Sequence, residues 1–504
     1  MRSKHQARRA RRAEGGVSAA RAEAAAPVAD SAQAGQPEQQ EPAKPRRLTR
    51  RRLLWTGGVL AGGAVAAIAG GAAAYYATRF PGGEAHAGWL ALRGVTALTG
   101  ENLEPVADAI VLVRDGRIVD VGSRLEIPEG AQILDTPGAT VMPGLIDMHT
   151  HLSFPPVDDP DGEFGLSDMP GYYWDLARYL PGGRRDFLNH GITAVRSLGD
   201  ELAWVRELRQ GIDDGTLEGP RVFFAGPTLT TPGGHPISTF NVPAESDGIR
   251  LSGSPGQAEE IVAELCDDDD PVDVIKVIQE SGTPDRPLDS HGPDVLEAIT
   301  AAAHDRGVPV TAHCGTATDL TQAVRAGVDG IEHLSLRDPA APGGQVIQTA
   351  AMGWPDGLLD QMASGGVALD PTLLVEIGAP AEQPPGRARL VERVYERLAE
   401  AHEAGVAIIA GSDAAVPGVG FGSGLVREVQ MLGTAGLPTR EALRAATSQA
   451  AAVLGAEQIG VLEPGRAADL VILDGDPLAD LGALDHVMAV LRAGRMVAGE
   501  VETA

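Results

Sequence analysis

Between residues 89 and 141, short apolar stretches alternate with turn residues. Runs at 89–92, 109–113 and 117–121 read as strands, the last two joined across Asp115-Gly116, a dipeptide suited to a tight hairpin. The same style returns near the C-terminus at 468–473 and 487–492, the latter followed by Ala493-Gly494. The two ends are therefore expected to share one small β-sandwich. Between them, β-like runs alternate with longer stretches of helical periodicity, the mark of βα units on a parallel sheet. The strand-like runs fall at 140–149, 192–197, 221–225, 272–278, 308–313, 330–333, 367–373 and 406–411, and helical patterns such as 293–306, 319–326 and 387–404 fill the intervals. Eight such units predict an α/β chain with a closed (β/α)8 TIM barrel; an open doubly wound sheet is the alternative.

Before residue 89 the pattern is different. Residues 1–48 are rich in Ala, Arg, Gln and Pro without apolar periodicity and are expected to be a disordered basic tail. Arg50, Arg51 and Arg52 then precede an uncharged Gly/Ala-rich stretch at 53–76, which resembles a twin-arginine export signal. A stretch of that length also suits a transmembrane anchor, since a bilayer core needs roughly 20 apolar residues. Ala85-His86-Ala87 has the small-x-small form of a cleavage site. Both readings place the body outside the cytoplasm, either membrane-anchored or secreted. The expected domains are a tail at 1–48, signal or anchor with linker at 49–88, sandwich at 89–142, barrel at 143–455, and the rest of the sandwich at 456–504.

Charge sharpens the partner question. The net charge of -28 conceals thirteen Lys/Arg against five Asp/Glu in residues 1–52, so the body carries more negative charge than the whole chain does. An acidic body of this kind is repelled by phosphate backbones, which argues for a small-molecule substrate rather than nucleic acid. Membrane contact would run through residues 53–76 if they are retained; a homo-oligomer is compatible with the sequence. Cys266 and Cys314 are the only cysteines, too few for a disulfide framework.

The candidate chemistry gathers where the predicted strands end. His149 and His151 are two residues apart on an extended chain, so both imidazoles project from one face and can share an ion. Alone, such a pair is weak. His313, His333 and Asp413, however, close the fifth, sixth and eighth runs, and polar groups at the carboxyl ends of barrel strands converge on one mouth. Lys276 lies inside the apolar run Val272-Asp273-Val274-Ile275-Lys276-Val277-Ile278, where desolvation of an ammonium is costly. A neutral amine there can take up carbon dioxide as a carbamate; the alternative is a lysine whose head reaches solvent.

Pro143-Gly144-Leu145-Ile146-Asp147-Met148-His149-Thr150-His151, Ile275-Lys276-Val277, Thr311-Ala312-His313, Ile331-Glu332-His333 and Gly411-Ser412-Asp413 resemble the signature of the amidohydrolase superfamily. Within it the chain is most similar to the imidazolonepropionase-related branch that includes Xaa-Pro dipeptidases. Glu463-Pro464-Gly465-Arg466-Ala467-Ala468-Asp469-Leu470 resembles the return of such enzymes to their small β-domain. The resemblance implies a binuclear hydrolase: His149, His151 and Asp413 on the more buried ion, His313 and His333 on the other, with carboxylated Lys276 and a hydroxide bridging. Two zinc ions are the expected cofactor. The hydroxide would attack an amide, peptide or cyclic-amide carbonyl, with Asp413 shuttling the proton. The same resemblance makes His235, in Gly233-Gly234-His235, a substrate or oxyanion contact; a mobile surface loop is the alternative.

The chain also departs from its relatives. Dipeptidases of this branch commonly carry Gln-Tyr-Ser after the fourth strand, whose tyrosine is associated with the substrate carboxylate; here Asp289-Ser290-His291 stands there, and His291 is a candidate for that contact. Lactone or phosphotriester hydrolysis, deamination of a heterocycle at a mononuclear site, and a barrel retained only as a surface binding module are the other readings. The carbamate lysine and the intact set of six positions speak against the last two.

Overall fold

The computed structural model describes residues 82–83, 85–153, 182–240, 242–284, 286–334, 353–378, 388–416 and 418–501. The basic tail and the apolar segment at 53–76 lie outside them. Among the described residues no helix is long and apolar enough to cross a membrane.

The chain ends build one eight-stranded sheet. Trp89–Thr99 pairs antiparallel with Glu104–Arg114, and that strand with Arg117–Gly122. Thr140–Pro143 lies between Trp89–Thr99 and Leu470–Leu473, so it stitches the N-terminal strands to Val487–Arg492 and Arg495–Gly499. Both hairpin dipeptides behave as their chemistry dictates. Asp115 and Gly116 have φ of 49° and 76°, and Ala493 and Gly494 have 49° and 72°, the left-handed pair a two-residue turn demands. The sandwich expected from the sequence is thus a single hydrogen-bonded sheet, whose inward side chains, among them Leu92, Val111, Val141, Ile472 and Leu491, share one core.

The eight barrel strands are Leu145–Thr150, Ile192–Ser197, Arg221–Phe224, Ile275–Gln279, Val310–Cys314, Gly330–Glu332, Ala368–Asp370 and Ala407–Ile408. Consecutive strands pair in parallel from the first to the third and from the fourth to the eighth. Asp273 N donates to Phe224 O at 2.9 Å, joining the third strand to the fourth, while Met148 N to Ala410 O at 3.0 Å and Asp413 N to His149 O at 2.8 Å close the eighth onto the first. The fold is a TIM barrel. Strand three has an extension, Thr228–Thr230, that also pairs with Ile249–Leu251.

One predicted strand is two. Residues 140–149 break at Gly144, where the chain leaves the small sheet and enters the barrel; a Cβ on Gly144 would lie 2.2 Å from Thr193 Oγ1, so only glycine lets strands one and two approach this closely. The intervening helices start on local chemistry. Ser254 caps Pro255–Cys266 by accepting from Gln257 N, and Thr316 caps Ala317–Arg325 by accepting from Asp319 N. Helices Pro293–His304 and Ala388–Glu403 bury Val295, Leu296, Ile299, Val394 and Leu398 against the strands.

Candidate active site

Five of the six side chains proposed from the sequence as metal ligands lie at the carboxyl ends of the barrel strands, and the sixth, Lys276, lies within strand four. His149 leaves strand one and His151 follows it, with ring centroids 5.4 Å apart. His333 ends strand six 5.1 Å from the His149 ring, and His313 on strand five sits 4.6 Å from His333. Asp413 turns one oxygen to both members of the opening pair: Oδ1 is 3.4 Å from His149 Nε2 and 3.1 Å from His151 Nε2. His333 and Asp413 have φ of 70° and 57°, left-handed backbone that a non-glycine residue adopts at a cost. Leaving the strand this way ends its extended pattern at the site.

Behind these groups stands a second row. Glu332 Oε2 is 2.8 Å from His149 Nδ1, so the carboxylate stands behind the ring and Nε2 is the nitrogen that faces Asp413. The other Glu332 oxygen accepts from Arg196 Nη2 at 2.7 Å and from the Thr311 hydroxyl, and Arg196 Nε donates to Met148 O at 2.6 Å. Asp147 accepts from Ser412 N at 2.9 Å and Ser412 Oγ at 2.6 Å, fastening strand one to the Asp413 turn. His333 Nδ1 is hydrogen-bonded to Thr372 Oγ1 at 2.7 Å, which leaves Nε2 of that ring for the site.

Burial sets the electrostatics. It pushes His149 down to about 4 and His333 well below the usual imidazole value, so both rings are neutral near pH 7 and able to ligate. Burial alone would raise Asp413, but His149, His151 and Lys276 outweigh it and hold the carboxyl down at about 2. Burial likewise lowers Lys276, whose Nζ has no hydrogen-bond partner among the described residues.

These residues fit divalent cations. Asp413 Oδ1 is buried without a hydrogen bond while lying 3.1 and 3.4 Å from the Nε2 atoms of His151 and His149, and an unsatisfied carboxylate oxygen beside two imidazole nitrogens suits a cation between them. His149, His333 and Asp413 offer ligand atoms within 4.8 Å of one another, as do His235, Glu280 and His313. The orphaned Lys276 amine at 2% exposure is equally a group whose environment asks for chemistry.

The two remaining candidates part company. His235 does reach the site: its ring stacks on His313 at 4.7 Å, and Nδ1 is hydrogen-bonded to Thr239 Oγ1 at 2.7 Å. The glycines before it serve packing, since a Cβ on Gly234 would meet Asp289 O at 2.8 Å. His291 is a buried tie beneath the strand-four end. Its Nε2 is hydrogen-bonded to Ser252 Oγ at 2.8 Å and its Nδ1 to Ile278 O at 3.1 Å, which leaves no ring nitrogen for a substrate carboxylate.

Several residues escaped the sequence reading. Arg196 interrupts the apolar run Ile192–Val195 as Lys276 interrupts its own, and that interruption was the available signal. Glu332 precedes His333 directly. Thr372 and Glu280 carried none, because each matters only through a contact across strands.

A sequence model described as "Amidohydrolase family" matches residues 140–497. Ochratoxinase of Aspergillus niger is 26% identical over 427 residues, covering 77% of this chain and 82% of that protein. Imidazolonepropionase of Salinispora arenicola is 29% identical over 389 residues, covering 73% and 86%. Among solved structures, a prolidase complexed with N-methylphosphonate-L-proline matches with a TM-score of 0.64 at 27% identity, over 82% of this chain and 100% of that one. The crystal structure of A. niger ochratoxinase, at 22% identity and a TM-score of 0.63 over 83% and 96%, shares the fold. Sequence and barrel therefore agree over most of the length: the chain belongs to the amidohydrolase family and is a hydrolase acting on carbon–nitrogen bonds.

Proposed function

We propose that the chain hydrolyses an amide bond of a small peptide-like or cyclic-amide substrate with two zinc ions at the barrel mouth. His149, His151 and Asp413 would hold the inner ion, His313 and His333 the outer, and Lys276, as its carbamate, would lie between them. The observation that carries this reading is the unsatisfied Asp413 Oδ1 beside two imidazole nitrogens, together with a buried lysine amine that has no hydrogen-bond partner among the described residues. When bound, such ions lower the pKa of water toward neutrality and polarise a carbonyl.

The protein's own groups do the rest. Asp413, held ionised, takes the proton of the attacking water and returns it to the departing nitrogen. Asp147 and Ser412 keep that carboxylate in place through the strand-one contact. His235, stacked on His313 with Nδ1 engaged by Thr239, would hydrogen-bond the substrate through Nε2.

The test combines a metal count with a substrate panel. Purified full-length protein, reconstituted with zinc with and without bicarbonate, is assayed on N-acyl amino acids, Xaa-Pro dipeptides and lactones. Two ions per chain, faster reconstitution with bicarbonate and turnover of amides over lactones are expected. One ion per chain defeats the binuclear reading, and turnover confined to lactones defeats the amide assignment.

A further inference from the structure

We propose that Glu280 is a positioning residue that sets the outer metal site by fixing which nitrogen His313 presents. The inference rests on the binuclear reading above. Three of the four candidate ligand rings have one nitrogen facing an oxygen from elsewhere in the barrel: His149 Nδ1 faces Glu332 at 2.8 Å, His333 Nδ1 Thr372 at 2.7 Å, and His313 Nε2 Glu280 Oε2 at 3.2 Å. A carboxylate on one ring nitrogen holds the proton there and leaves the lone pair on the other. With Nδ1 occupied, by a carboxylate in one case and a hydroxyl in the other, the first two rings present Nε2. His313 is inverted, and presents Nδ1.

Glu280 is built into this place. It follows the last residue of strand four, with the residue 9% exposed, and its Oε2 also lies 3.4 Å from His235 Nδ1. The next residue is clamped, since Ser281 N and Oγ donate to Asp319 Oδ2 at 3.1 and 3.0 Å. Gly315, two residues past His313, leaves the room: a Cβ there would lie 2.3 Å from Glu280 Cγ. The carboxylate thus bridges the His313 ring and the His235 ring stacked on it, tying the outer site to the loop that faces substrate.

The experiment counts ions on the full-length protein after dialysis against graded chelator, with the cobalt-substituted absorption spectrum as a second readout. Wild type should hold two ions that leave in two steps. Glu280→Ala should weaken the more labile one by about 10–100-fold, the range for loss of such a partner, and leave the other unchanged. Glu280→Gln, which keeps an acceptor for Nε2–H, should restore most of that affinity. Gly315→Ala, which keeps the carboxylate but displaces it, should follow Glu280→Ala. Wild-type affinity at both ions in Glu280→Ala would overturn the proposal, as would equal weakening of both ions with a lowered Tm. Three ions in wild type, one lost in each of Glu280→Ala and His235→Ala, would make the cluster a cation site instead. Fewer than two ions in wild type would defeat the binuclear reading itself, and the inference with it.

Discussion

Glu332 Oε2 stands 2.8 Å from His149 Nδ1, so a carboxylate on the sixth barrel strand orients a histidine on the first. The same carboxylate is held from behind by Arg196 on strand two, at 2.7 Å. Both charges are nearly inaccessible, and removing one partner of such a buried pair leaves the other uncompensated. Glu332→Ala should lower stability by about 3–5 kcal/mol and weaken the inner ion by about 10–100-fold. Denaturant midpoints of the ion-free protein report the first effect and chelator competition the second; an unchanged inner affinity would show that His149 needs no orienting partner.

In the proposed mechanism Asp413 does chemistry as well as binding an ion. Asp413→Asn preserves the shape of the side chain but removes its capacity to accept a proton. The variant should keep its fold and much of its metal, while kcat falls by roughly 10²–10⁴. Steady-state kinetics alongside ion content checks this, and near-normal kcat with two ions bound would remove Asp413 from the proton path.

Gly411 is where the site tolerates no side chain. A Cβ there would lie 2.0 Å from Asp370 Oδ2 and 2.5 Å from His149 Cβ. Gly411→Ala should cost on the order of 1–3 kcal/mol from overpacking and loosen the metal because His149 is displaced. Gly256 on the helix Pro255–Cys266 meets nothing within 4 Å, so Gly256→Ala should be neutral or mildly stabilising. Thermal unfolding of the two variants separates crowding from helix propensity.

Glu428 gives the pH prediction. Its two oxygens accept from Leu373 N at 2.8 Å and Leu374 N at 2.9 Å, yet burial outweighs these bonds and raises the carboxyl to about 8. A folded value above the unfolded one means that the native state binds the extra proton. The contribution is therefore fully present below the ordinary carboxylate value of 4.5 and is lost as pH rises toward 8. Glu428→Gln removes this group, so its stability should fall less steeply than wild type between about pH 5 and pH 8. Urea titrations across that range measure the slope, and parallel slopes would show that Glu428 is ionised in both states.

The barrel was legible because most of the parallel strands are buried on both faces and read as apolar runs, and because His149, His313, His333 and Asp413 interrupt or end such runs. The Asp115-Gly116 hairpin was equally plain, since few residues take positive φ at two adjacent positions. The division at Gly144 was not. Residues on either side of it are apolar and extended, and only the approach of Thr193 shows that the chain changes sheets there.

The sequence by itself determined the order of the units, the residues that end them and the kind of chemistry those residues support, because these follow from local periodicity and side-chain type. The tertiary structure alone decided what stands behind the rings: a carboxylate beside His149 and His313, a hydroxyl beside His333. Arg196 and Glu332 meet across 136 positions, and Glu280 and His313 across 33. Such contacts leave no periodic trace, since barrel closure, not spacing along the chain, sets them. His291 makes the same point in reverse: a plausible substrate contact by position, it is bound on both ring nitrogens because the fold packs strand four over it.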